Sequence, residues 1–142
     1  MSITTAFTLR RSSACLSCLL ALAACDPAPD TFALRNGTGE PLTVQLDGTR
    51  PFVSDDCDSH EGNVQLGTSG ETTIAVGRRR CFMPDDGPGD SSDARLAVVR
   101  LVVTRPAMPC IDVTGQELAQ RPFAEEGYHD TWLIDTTQCD PP

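Results

Sequence analysis

Cys57, Cys81, Cys110 and Cys139, His60 and His129, and two runs of acids are where this 142-residue chain concentrates its chemistry. Cys57-x-x-His60 has the spacing of a metal-ligand pair, and four thiolates would suit zinc. Asp55, Asp56, Asp58 and Glu61 form one acidic run; Asp85, Asp86, Asp90 and Asp93 form another. Clustered carboxylates can cage calcium through oxygen ligands, and the second run supplies the candidate ligands for a low-affinity site. The first run departs from the EF-hand pattern, since His60 and Glu61 stand where Asp or Asn and then Gly belong. For acid–base work at neutral pH there are two bases only, His60 and His129. Gly67-Thr68-Ser69-Gly70 lacks the Gly-x-Ser-x-Gly spacing of a nucleophile elbow. This inventory predicts no catalysis and no cofactor, with solvated acidic loops in place of a strong metal site.

The export address is clearer than the activity. Arg10 and Arg11 precede residues 14–24, which are apolar apart from Ser17. Eleven residues are too few to cross a bilayer, which takes about 20, so the stretch reads as a targeting element. Leu22-Ala23-Ala24-Cys25 resembles the lipobox of bacterial lipoproteins. The resemblance implies that Cys25 is diacylated and that residues 1–24 are removed. It places the protein on the exported side of the cell membrane or outer membrane, held by the lipid on Cys25. Residues 25–30, continuing as Asp-Pro-Ala-Pro-Asp, then form a short stiff tether of at most ~17 Å beyond the lipidated residue, and residues 31–142 a single domain.

With the signal removed, Cys15 and Cys18 are lost and Cys25 carries lipid, which leaves an even set of four cysteines. In an oxidising compartment two disulfides are expected over a thiolate metal site. Two arginines and no acids leave with residues 1–24, so a net charge of −9 becomes −11. With no basic stripe to neutralise phosphates, nucleic acid is excluded as a partner. An envelope protein or glycan is the expected one.

The elements that must position these residues are short strands. Phe32, Leu34, Leu42, Val44 and Leu46 keep a period of two around Asn36-Gly37-Thr38-Gly39, which predicts a hairpin with Leu34 opposite Leu42 and positive φ at its Asn and Gly. A second hairpin is predicted about Ser69, with Val64 opposite Ile74. The same register sets Cys57 opposite Cys81, twelve residues to either side. Cys110 then pairs with Cys139 by elimination. Residues 95–105 are apolar on both faces and predict the most buried strand, in which Arg100 needs a carboxylate or an exit to solvent. Ile111 and Val113 suggest another strand. Thr114 and Glu117 fit a capping box opening a helix that Pro122 stops. Tyr128, Trp132 and Ile134 share the inward face of the last strand; Trp132, Tyr128 and Phe123 are the aromatic candidates for a ligand platform.

Eleven prolines and eleven glycines in the chain, with few helix-length periodic segments, point to an all-β fold. The expected form is a small immunoglobulin-like β-sandwich of six or seven strands with one short helix; a small closed β-barrel is the alternative. The expected role is a non-catalytic binding or assembly module of the cell envelope. A small envelope hydrolase and a calcium-dependent binding module are the alternatives.

Overall fold

Leu42, Val44 and Leu46 alternate with Thr43, Gln45 and Asp47, and this period of two sets one buried face on the longest strand of the protein. The computed structural model describes residues 31–85, 93–106, 108–127 and 129–139. The expected signal, Cys25, the tether, Asp86, Asp90 and Tyr128 lie outside the described residues. The strands are β1 (Phe32–Asn36), β2 (Leu42–Asp56), β3 (Val64–Ile74), β4 (Arg79–Pro84), β5 (Val98–Arg105), β6 (Met108–Thr114), β7 (Ala124–Glu126) and β8 (His129–Ile134). Two short helices, α1 (Gly115–Ala119) and α2 (Thr136–Cys139), and a 3-10 turn at Ala94–Ala97 complete the described elements. The protein is all-β, as expected, with eight described strands where six or seven were anticipated and a second short helix.

All eight strands join one sheet, in the order β6-β5-β2-β4-β1-β8-β7, with β3 on the other edge of β2. β2 organises it. One edge carries β3 nearly end to end, while the other carries β5 along residues 43–48 and β4 along residues 52–56. The sheet therefore divides into two arms at Gly48 to Pro51. A Cβ on Gly48 would lie 2.8 Å from the Arg50 carbonyl oxygen and 2.9 Å from the Phe52 ring, so the bend needs glycine there. Pro51, which has no N–H to donate, falls where the β2–β3 register slips. One hydrophobic cluster fills the space between the arms. Leu42, Val44, Leu101, Val103 and Val113 enter it from one arm, and Phe32, Leu34, Phe82, Trp132 and Ile134 from the other.

Several predicted pairings are corrected. β1 does not form a hairpin with β2; it runs antiparallel to β4 and parallel to β8. The intervening loop crosses between arms, and Asn36 does not take positive φ. Residues 64–74 are likewise one continuous strand, because the edge of β2 gives each half a long-range partner that a turn at Ser69 would forfeit. Gly67, at φ +63°, absorbs a bulge in that strand. The predicted strand at residues 95–105 begins only at Val98, and Leu96 and Val99 are exposed. The most enclosed strand is β1, with four of its five residues buried between β4 and β8. Arg100 does find both a carboxylate, Asp112 at 2.6 Å, and solvent. The Thr114–Glu117 capping box forms as predicted.

Candidate functional site

All four cysteines of the domain are oxidised, as Cys57–Cys81 and Cys110–Cys139. This is the expected pairing, reached by a different geometry. The β2–β4 ladder sets Asp55 opposite Cys81, and Cys57 lies two residues further along the same face, just past the end of β2. No thiol is left in the Cys57-x-x-His60 pair to serve as a metal ligand. Among the described residues no group of three or more His, Cys, Asp or Glu side chains could hold a metal ion. Of the calcium candidates that are described, Asp93 accepts the Arg95 backbone N–H at 3.0 Å and its guanidinium at 2.9 and 3.0 Å. Asp85 donates its backbone N–H to the Pro51 carbonyl.

The first acidic run meets a run of arginines across the β2–β4 ladder. Arg78 pairs with Asp56 at 2.8 Å and Arg79 with Asp58 at 2.7 Å. Arg79 also reaches the Glu126 carboxylate at 3.7 Å and donates to its carbonyl at 2.6 Å, while Arg35 pairs with Glu126 at 2.7 Å. Arg80 has oxygen partners without a carboxylate: Ser54 Oγ, and the carbonyls of Ser54 and Gly62. The Arg78 hydrogen bond, supported by the backbone N–H groups of Ser59 and Asp58 against the cost of burial, holds the Asp56 carboxyl down at about 2. Most of these charges are paired locally, so the cluster knits the strands and the 57–61 loop together.

Among the described residues, no hydrogen bond joins either histidine to the serine of the glycine-flanked segment. His60 Nδ1 lies 3.4 Å from Asp55 Oδ2 with its ring mostly exposed. His129 sits on β8 opposite Glu126. Ser69 donates to Asp47 Oδ1 at 2.7 Å, a bond that lowers the Asp47 pKa. Of the described aromatic candidates, Trp132 is buried in the core, and Phe123 packs edge-on against Phe32 and tilted against Trp132, with Arg95 over its ring.

A groove of about 320 Å³ opens where the two arms fail to meet. Cys110 to Val113 of β6 form one wall, Trp132 of β8 contributes to the lining, and Arg121 and Gln138 complete it. β6 pairs only with β5, so the main-chain groups of its other edge have no strand partner among the described residues. The Arg121 guanidinium lies over the Trp132 ring, 5.4 Å from its centroid. It makes no ion pair within 4 Å among the described residues. Glu117 turns its carboxylate back onto the Thr114 N–H at 2.7 Å, and that bond, ahead of the Thr114 side chain and the charge of Arg121, lowers its pKa.

Sequence reasoning missed this groove. Its lining is gathered from four places between Cys110 and Gln138, a stretch closed by the Cys110–Cys139 bond, and no local pattern marks Arg121 or Gln138. No family model, curated protein or solved structure matches this chain.

Proposed function

We propose that this protein is an exported, lipid-anchored component of the bacterial cell envelope that works as a non-catalytic binding or assembly module. The observation that carries the reading is Leu22-Ala23-Ala24-Cys25, which follows a short apolar run and places a lipidatable cysteine just ahead of the folded domain. Cysteine use supports it. The four cysteines of the domain pair off completely, as suits an oxidising compartment, and leave Cys25 outside the pairing. The anchor is the lipid, since a domain of net charge −11 gains nothing from anionic headgroups. We further infer that the two arms close as the layers of a small β-sandwich, a reading supported by the one core cluster that their facing sides share.

Cys25→Ser tests the anchor, because a hydroxyl cannot take the thioether lipid. The variant is expected to leave the membrane fraction or to accumulate unprocessed. Unchanged detergent partitioning together with an unchanged mature mass refutes the lipoprotein reading. Turnover of model esters or peptidoglycan fragments that is lost on His60→Ala or His129→Ala refutes the non-catalytic one.

A further inference from the structure

We infer that the β6 edge and the groove beside it dock an extended peptide that carries a carboxylate side chain, added to the sheet as one more strand. The inference rests on the binding-module reading above and gives it a place and a ligand class. Three observations converge on it. First, β6 is an edge strand, and every second residue along it turns an N–H and a C=O away from β5. Pro109 has no N–H and the Thr114 N–H is already bonded to the Glu117 carboxylate, so the usable stretch runs from Cys110 to Val113. Main-chain pairing of this kind gives affinity without demanding a particular sequence.

Second, the space beside this edge is open, lined across from the strand by Trp132, Arg121 and Gln138. An added strand would lie about 4.8 Å from β6. Third, charge selects the occupant. Arg121 is held over an aromatic ring and makes no ion pair within 4 Å among the described residues, whereas the other groove charge, Asp112, is neutralised by Arg100 through bonds of 2.8 and 2.6 Å. A guanidinium already positioned by stacking gives up little freedom when it donates to a carboxylate. The alternative edges lack this combination: β7 is three residues long, and β3, continuous but bulged at Gly67, carries no arginine.

The test uses the full-length protein in detergent and an array of seven-residue peptides of alternating Thr and Val with Glu, Gln or Lys at the centre. Central-Glu peptides are expected to bind, with Gln about five- to tenfold weaker and Lys weaker still. N-methylation of alternate peptide nitrogens is expected to abolish binding, and Arg121→Gln to erase the preference for Glu over Gln at an unchanged melting temperature. Absence of a Glu preference, or its survival in Arg121→Gln, overturns the inference. So does a uronic-acid oligosaccharide that binds where no peptide does, or concentration-dependent dimerisation that occupies the β6 edge. These readouts do not depend on the lipid on Cys25. An envelope partner crosslinked only to β3 or β7 would leave the binding-module reading intact and refute the groove.

Discussion

Asn36 shows how much of the fold can hang on one polar side chain. Fully buried at the end of β1, it donates Nδ2 hydrogen bonds to the carbonyls of Ile74 at 3.0 Å and Glu40 at 2.7 Å. Its Oδ1 accepts the Thr38 N–H at 2.9 Å and the Thr38 hydroxyl at 2.7 Å. It thereby ties the crossing loop to the end of β3, in the other arm. Asn36→Ala leaves several of these groups buried without partners, and a loss of about 2–4 kcal/mol is expected in urea unfolding. Asn36→Asp should fare no better, since a carboxylate cannot donate to two carbonyls. A change under about 1 kcal/mol in both variants would contradict this role. The sequence marks Asn36 as turn chemistry, but the Ile74 partner, 38 residues away, has no local trace. Asp56 belongs to the same scale. Its folded pKa of about 2, set first by the Arg78 hydrogen bond, lies below the ~3.9 of an unfolded aspartate. Its contribution is therefore complete above about pH 4 and is lost as pH falls through about 2. Asp56→Asn should flatten this part of the acid limb while leaving stability at pH 8 less dependent on the Arg78 pair; an unchanged acid limb would contradict it.

At the scale of elements, α1 is held by backbone proximity as much as by its cap. Gly115 opens the helix with its backbone against Val98 and Arg95; a Cβ there would overlap the Val98 carbonyl oxygen and lie 2.7 Å from that of Arg95. Gly115→Ala favours the helix intrinsically by up to about 1 kcal/mol, yet it must push α1 away from the 3-10 turn and β5. The second effect is expected to win, with a net loss of about 1–3 kcal/mol and weaker amide protection around Leu118. A stabilised variant would show that the helix shifts freely. The capping box beside it was legible because Thr114 and Glu117 carry their own geometry within four residues. The two hairpins were misread for the opposite reason. Period-two alternation fixes which face of a strand is buried, and Leu42, Val44, Leu66 and Ile74 are indeed buried. It does not say which strand lies alongside. Local turn signals at Asn36-Gly37 and Ser69-Gly70 lost to pairings between distant segments.

Across the whole molecule, the two disulfides do unequal work although the spacing between their cysteines is similar, 24 and 29 residues. Their identity was legible from cysteine parity, but the register used to pair Cys57 with Cys81 belonged to a hairpin that does not form. Cys57–Cys81 joins the end of β2 to β4, two strands already hydrogen-bonded to each other, and is buried with Ala33. Cys110–Cys139 joins β6, the outermost strand of one arm, to α2, which follows β8 in the other. β6 and β8 share no ladder, so this bond spans a gap that main-chain hydrogen bonds leave open. In the chain-entropy account each crosslink is worth about 3–4 kcal/mol, and by that measure alone the Cys57→Ser/Cys81→Ser and Cys110→Ser/Cys139→Ser pairs should be similarly destabilised. The distribution of the loss should differ. Without Cys110–Cys139, β6 has β5 as its one strand partner among the described residues, and local opening at that edge becomes easier than global unfolding. Hydrogen exchange at Ile111 and Val113 is then expected to accelerate well beyond that at Val44 and Leu101. Without Cys57–Cys81, the β2–β4 ladder still holds its strands and exchange should rise evenly through the core. An even rise in the Cys110→Ser/Cys139→Ser variant would mean that β6 is secured by its packing, and that the second disulfide contributes through the unfolded chain alone.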